Sequence, residues 1–399
     1  MIKSGVLQGV TILDMTRVLA GPFSGMMFAD MGADVIKIET PKKGDDSRSF
    51  GPFKNGESAY FMNLNRNKRG ITINLKNPEG VKVFLELVAK ADILLENFRP
   101  GTMEKLGIGY EKLKEINPKL VYGCVSGFGH YGPYSKRAGY DIIGQAMGGL
   151  MSTTGWPDGD PTRSGTAIAD VLAGIFMSVG VLSAYTRVLK TGEGQKIDVA
   201  LVDSVVAGLE IINQIYLVDG VIPGRNGNRY ESIYPYDSFQ TMDKTIIIGA
   251  GNDKLFKILC SIMKQENLLE DERFLNNPLR IKNHAPLKEI IEKWLSDKKG
   301  DEIVNMLLEA GVPSCPIYNI GEVVNDDHIA NVREMFIDME HPIAGKLKIT
   351  GSPIKLSVDK YSKPLPSPAL GEHNEEVLKE MLGYSKEKIE ELIKEYDIW

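Results

Sequence analysis

A chain of 399 residues exceeds what one hydrophobic core usually holds, so two domains are expected. Its composition, 43% hydrophobic and 25% charged, is that of a folded, water-soluble protein and excludes a fibrous or disordered one. A net charge of −6 without a basic run excludes nucleic acid as a general partner, so an anionic ligand must be held by local Arg and Lys or by helix N-termini.

Gly9–Asp14 alternates as a buried strand, Met15–Ala33 carries helical apolar spacing after Gly21–Pro22, and Asp34–Glu39 reads as a second strand. This βαβ unit predicts a parallel sheet. The irregular polar stretch 40–60 follows, long enough to be functional. Gly70–Asn77 then reads as a strand, Pro78–Ala91 as a helix with proline at its first position, and Asp92–Phe98 as a strand. Two short helical segments span 101–120, and Leu120–Phe128 is a strand rich in β-formers. The alternation predicts a doubly wound α/β domain. Its first strand–helix turn reads TRVLAGP rather than GxGxxG, which disfavours a nicotinamide dinucleotide.

A long apolar helix is expected within Arg163–Tyr185, then a strand at 196–201 and a helix at Ser204–Val218. These elements close a large α/β domain, 1–218. Residues 219–236, rich in Gly, Asn and Pro, read as a linker, and 237–328 as a smaller α+β domain. Residues 329–399 read as a Pro-rich return linker followed by C-terminal helices.

The cysteines, Cys124, Cys260 and Cys315, lack CxxC spacing, and the five histidines form no HExxH-type pair, so neither a disulfide frame nor a metal site is expected. No charged-then-apolar leader follows Met1, and no apolar run reaches about 18 residues without a Gly or polar interruption. The expectation is a cytoplasmic protein without a membrane span.

One carboxylate, Asp170, stands at the first turn of the small and aliphatic stretch Arg163–Tyr185. A charge there costs on the order of several kcal/mol in desolvation unless partners or a helix N-terminus hold it. Two readings are open at this point: a helix N-cap and a nucleophile.

The motifs Val18–Glu39, Asn65–Gly80, Glu96–Gly107, Gly127–Pro133, Gly139–Met151, Ala167–Gly174 and Leu370–Asn374 resemble, nearly end to end, those of the family III (CaiB/BaiF-type) CoA-transferases. The resemblance implies an α/β fold: a Rossmann-like large domain made of the N-terminal half and the C-terminal segment, a smaller α+β domain, and an interlocked homodimer. It implies acyl-CoA and a free carboxylic acid as substrates, with no permanently bound cofactor. Asp170 is then the nucleophile, carrying CoA through aspartyl anhydride and aspartyl-CoA thioester intermediates and kept ionised by its helix N-terminus. Along CoA the resemblance places Arg17, Val18, Leu19, Ala20, Thr40, Lys76, Asn97, Phe98, Arg99, Lys105, Leu106 and Tyr140. Phe50 falls at the substrate channel and Gly249 and Gly251 in a lid-like turn, while Arg66, Lys68 and Arg69 read mostly as solvated surface. In the related α-methylacyl-CoA racemases the motif at Tyr140 has histidine as a proton-transfer base. A tyrosine, with its pKa of about 10, is poorly suited to that task. The motifs look closest to the acetyl-CoA:oxalate and formyl-CoA:oxalate branch, so a small dicarboxylate such as oxalate is the expected acceptor, with carnitine and 2-hydroxy acids as alternatives.

Overall fold

The computed structural model describes residues 5–359 and 363–396. The chain divides into two compact units: Met1–Leu150, Arg163–Gly220 and Asp327–Trp399 form the first, and Met151–Thr162 with Val221–Asp326 the second.

The first unit is built on six parallel strands, ordered Arg69–Thr72, Asp34–Glu39, Thr11–Asp14, Ile93–Glu96, Val121–Ser126, Lys196–Ala200. Ile93–Glu96 and Val121–Ser126 are buried throughout, as a parallel sheet covered on both faces requires. The winding reverses between Thr11–Asp14 and Ile93–Glu96, and open sheets of this kind bind ligands at the carboxyl ends of the strands beside such a reversal. One core joins Leu13, Phe84, Leu94 and Tyr122 to Val377, Leu378, Ile389 and Leu392 of the C-terminal helices Asn374–Leu382 and Lys386–Tyr396. The other joins Ile12, Phe28, Ile93 and Val125 to Ala169, Ala173, Met177, Val181 and Ala184.

Those last five residues lie on one stripe of the 24-residue helix Ile168–Thr191. Gly174 on that stripe is required by contact: a Cβ there would come within 2.7 Å of Ala20 O. The opposite face leaves Ile175, Phe176, Val179 and Leu189 exposed. By length and composition this helix is apolar enough to cross a membrane, although one stripe of it is built into the core. The glycines and serines that interrupt the apolar run do not interrupt the helix.

The second unit carries the antiparallel sheet Ser314–Pro316, Thr245–Gly249, Tyr236–Gln240, packed with helices around Phe239, Ile246, Phe256, Ile291 and Leu307. Residues 221–236 fall in this unit. Two local expectations are corrected. The strand expected over Gly70–Asn77 is Arg69–Thr72, because Asn77 caps the next helix by accepting from Glu79 N. The return segment also holds a hairpin, Phe336–His341 with Gly345–Thr350, whose inward side chains Met339 and Ile349 pack on Met62.

Candidate active site

At the reversal point the first strand runs into the turn 15–19, which is gripped from two sides. Asn97, just past the strand Ile93–Glu96, accepts from Arg17 N (2.8 Å) and donates to Arg17 O (2.7 Å). Lys37 Nζ donates to Thr16 O and to Asp45 Oδ2, each at 2.8 Å, and Asp45 Oδ1 accepts from Val18 N at 3.1 Å. Val18 is thereby held at φ 67°, a left-handed conformation that is strained for a β-branched residue. Lys37 and Asp45 have fully buried side chains. Burial opposes both charges, but their mutual attraction wins, holding the amine above its ordinary value and the carboxyl well below.

The basic cluster read as solvated surface is corrected here. Lys68 is buried against Asp14 at 2.8 Å, and burial brings its amine down to about 8. Arg66 is buried against Asp30, and Arg69 pairs with Asp34, Glu376 and Glu380. Each of these charges braces a strand or helix end against a distant carboxylate.

Beside the turn lies a cavity of about 440 Å³. Arg17, Val18, Leu19, Ala20, Asn97, Phe98, Arg99, Tyr140 and Asp170 line it, so one wall brings together nine residues singled out from the sequence. Ala20 opens the helix Ala20–Asp30, which has no side-chain cap, so its first N–H groups are available to an anion. Tyr140 is largely exposed, at 74%.

Asp170 sits in the first turn of its helix, but its side chain is not the cap. Ala167 occupies the N-cap position without a side-chain bond, and Asp141 Oδ1 accepts from Ala169 N at 2.9 Å instead. The cap reading of Asp170 is therefore wrong: the capping carboxylate comes from another helix, Asp141–Met147. Burial, and secondarily the charge of Asp141, push the Asp170 carboxyl up to about 7. The helix N-terminus acts in the opposite direction, favouring the anion. The expectation of a permanently ionised carboxylate becomes one of a group that ionises near neutral pH.

Tyr60 feels that carboxylate. Burial and then the Asp170 charge push its phenol up to about 12, so it stays a proton donor. Phe50 stacks edge-on against Tyr60, with ring centroids 5.9 Å apart. Tyr60, Asp46 and Arg137 are absent from the sequence reading. Asp46 and Arg137 line the cavity, Asp46 pairing with Arg17 and Arg137 lying 3.6 Å over the Tyr134 ring. The dibasic Lys136–Arg137 shortly before Tyr140 was the available signal for Arg137. No local pattern marks Tyr60.

Other candidates lie outside this cavity. Thr40 lines a smaller adjoining hollow with Glu39, Gly44 and Phe98. Lys76 is exposed, Lys105 is exposed at the end of Thr102–Lys105, and Leu106 packs against the first core. Gly249 and Gly251 belong to the second unit, where Gly251 is buried so tightly that a Cβ would meet Ile233 at 2.7 Å.

Behind Asn97, folding gathers groups in which the sequence offered no ligand pair. Ligand atoms of Glu96, Cys124 and His130 lie within 4.8 Å of one another. The Lys196 amine, 3.0 Å from His130 Nδ1, brings a positive charge to that trio, and burial pushes Glu96 up to about 7. Glu96 serves the cavity wall by accepting from Phe98 N at 2.7 Å and from Tyr122 OH at 3.0 Å.

A cavity at the switch point of a doubly wound sheet, lined by the half-buried Asp170 carboxylate and by arginines, is the kind of place where such folds bind an anionic ligand. The model of "CoA-transferase family III" matches residues 7–374, and the chain belongs to that family of CoA-transferases. It is 39% identical over 388 residues to succinyl-CoA:glutarate CoA-transferase of Mus musculus, covering 97% of this chain and 89% of that protein. It is 41% identical over 379 residues to acetyl-CoA:oxalate CoA-transferase of Acetobacter aceti, covering 94% and 96%. A CAIB/BAIF family protein from Brucella suis superposes with a TM-score of 0.84 at 38% identity, covering 95% of this chain and all of that one.

Proposed function

We propose that this enzyme moves CoA from an acyl-CoA to a small dicarboxylic acid through covalent intermediates on Asp170. The observation that carries the reading is Asp170 itself: a carboxylate on the cavity wall, buried enough to be pushed up to about 7, with no hydrogen bond or ion pair among the described residues. A carboxylate so placed is partly withdrawn from water and free to react.

Asp170 Oδ attacks the thioester carbonyl; the C–S bond breaks, leaving an acyl–aspartyl anhydride and CoA thiolate. The thiolate attacks the Asp170 carbonyl carbon, releasing the donor acid and leaving an aspartyl-CoA thioester. The acceptor carboxylate attacks that thioester, forming a second anhydride and freeing the thiolate again. The thiolate then takes the acceptor's carbonyl, and Asp170 leaves as carboxylate. The uncapped N–H groups at Ala20 suit the oxyanion of each tetrahedral step. Arg99 and Arg137, exposed at the cavity, suit the CoA phosphates.

The relatives named for glutarate and for oxalate support a dicarboxylate acceptor. In the same reading Phe50 and Tyr60 border the acid. The working unit is a homodimer, for which the exposed Ile175, Phe176 and Val179 provide an apolar face.

The test is a panel of acyl-CoAs and acids read by mass spectrometry, with hydroxylamine present in a parallel series. New acyl-CoA and a hydroxamate on the peptide containing Asp170 are expected. Deuterium uptake at the acyl α-carbon without an acid, or turnover surviving Asp170→Ala, would sink the reading.

A further inference from the structure

Gln145 has a wholly buried side chain on the helix Asp141–Met147, and it does not line the cavity. Its amide is nonetheless fully engaged. Oε1 accepts from Ser164 N at 2.8 Å; Nε2 donates to Asp141 Oδ2 at 2.7 Å and to Thr166 O at 3.4 Å. One amide orientation alone satisfies all three, because Ser164 N needs an acceptor while the Asp141 carboxylate and the Thr166 carbonyl need a donor. The other Asp141 oxygen takes Ala169 N, the amide directly before Asp170. A single neutral side chain thus ties the segment entering the nucleophile helix to the carboxylate that caps it.

We propose that Gln145 is a positioning residue for CoA transfer, holding one oxygen of Asp141 so that the other fixes the first turn of the helix bearing Asp170. The inference rests on Asp170 being the nucleophile. A glutamine suits the place because it donates without adding charge. The ionisable groups facing this junction are Asp141 on its own helix, Asp170 on the helix Ile168–Thr191, and Tyr60, whose phenol feels both carboxylates. Arg163 donates to Ser164 O at 3.0 Å, and from the helix Leu201–Gly208 the apolar Leu201 and Val205 lie against Gly144 and Gly148.

Gln145→Glu separates this role from mere space-filling. Protonated, the new carboxyl donates to Asp141 as the amide does. Ionised, it confronts the Asp141 carboxylate and the Thr166 carbonyl. In the full chain, with the donor and acid that turn over fastest in the panel, the ratio of variant to wild-type kcat is expected to fall at least about tenfold as pH rises from 6 to 8.5. A ratio independent of pH overturns the inference. Should that variant fail to fold, Gln145→Met decides: kcat is expected to fall about tenfold or more while calorimetric CoA affinity stays within about threefold. If kcat and affinity fall together, or neither falls, the inference is overturned. Asp170→Ala is run beside them. Turnover in Asp170→Ala removes the nucleophile reading and this inference with it; a dead Asp170→Ala with a flat Gln145→Glu ratio removes this inference alone.

Discussion

Asp170 couples reactivity, pH dependence and stability in one group, because burial has moved its ionisation to about 7. In the proposed mechanism only the carboxylate attacks, so kcat/KM should rise with pH through about 7 and level above it. The folded state binds this proton more tightly than the unfolded chain, whose ordinary value is 3.8. Stability from this group is therefore complete below that value, falls as pH rises toward 7, and stays reduced above. Asp170→Asn should accordingly be more stable than wild type at pH 8 by about 1–4 kcal/mol and equal to it near pH 4, while losing turnover by roughly 10⁴-fold or more. Urea titrations at the two pH values check this, and a variant destabilised at pH 8 contradicts it. Tyr60→Phe removes a phenol that stays protonated beside the carboxylate; kcat should fall about 10- to 100-fold with CoA affinity unchanged, measured by steady-state kinetics and calorimetry. Asp170 was legible as a candidate because it is one charge in an apolar run. Asp141 was legible as a helix cap, though not which helix it caps; the roles of Gln145 and Tyr60 were not, since each depends on segments distant in sequence that no local spacing records.

At the scale of elements, the turn 15–19 owes its shape to charges underneath it rather than to its own residues. Val18 stays left-handed only while Asp45 takes its N–H and Lys37 takes the carbonyl of Thr16. Asp45→Ala strands a buried ammonium and should cost about 3–5 kcal/mol in urea unfolding. It should also raise KM for acyl-CoA, because the cavity wall at Arg17–Ala20 loses its grip. Asp45 is held well below the usual carboxylate range, so its contribution is present above about pH 4 and disappears as pH falls below it. The wild type should therefore lose its stability advantage over Asp45→Ala in acid, and an advantage that persists there would refute the argument. The strands were readable because buried parallel strands give apolar runs, and Asn77–Pro78 marks a helix start by capping and ring geometry. The network was not readable. Lys37 looks like the solvent-facing alternate of DVIKIE, and Arg66 and Lys68 look like surface, until the fold brings Asp45, Asp30 and Asp14 against them.

For the whole molecule, the helix Ile168–Thr191 poses the decisive question, because only one of its faces is used within the chain. Ile175, Phe176 and Val179 follow one another at helical spacing on the exposed face, and Tyr216, Leu217 and Val218 are exposed on the helix Ile211–Asp219 of the same unit. Folded monomers rarely leave so much aliphatic surface in water, so something covers it. Lipid fits poorly. The other face of the same helix is built into the core through Ala169, Ala173, Met177, Val181 and Ala184, and its first turn holds the half-buried Asp170 carboxyl of the candidate site. A second copy of the chain fits, as the proposed dimer requires. Light scattering on the purified protein should give twice the mass of one 44.1 kDa chain without detergent. Phe176→Glu with Val179→Lys places two charges on the exposed face while leaving the core stripe untouched, so each chain should still fold, as circular dichroism can check. The mass should then fall toward that of one chain, and melting should lose the dependence on protein concentration that assembly gives the wild type by mass action. A wild type that is monomeric at micromolar concentration, or a double variant that keeps the dimer mass, would show that this face is not the one that joins the copies.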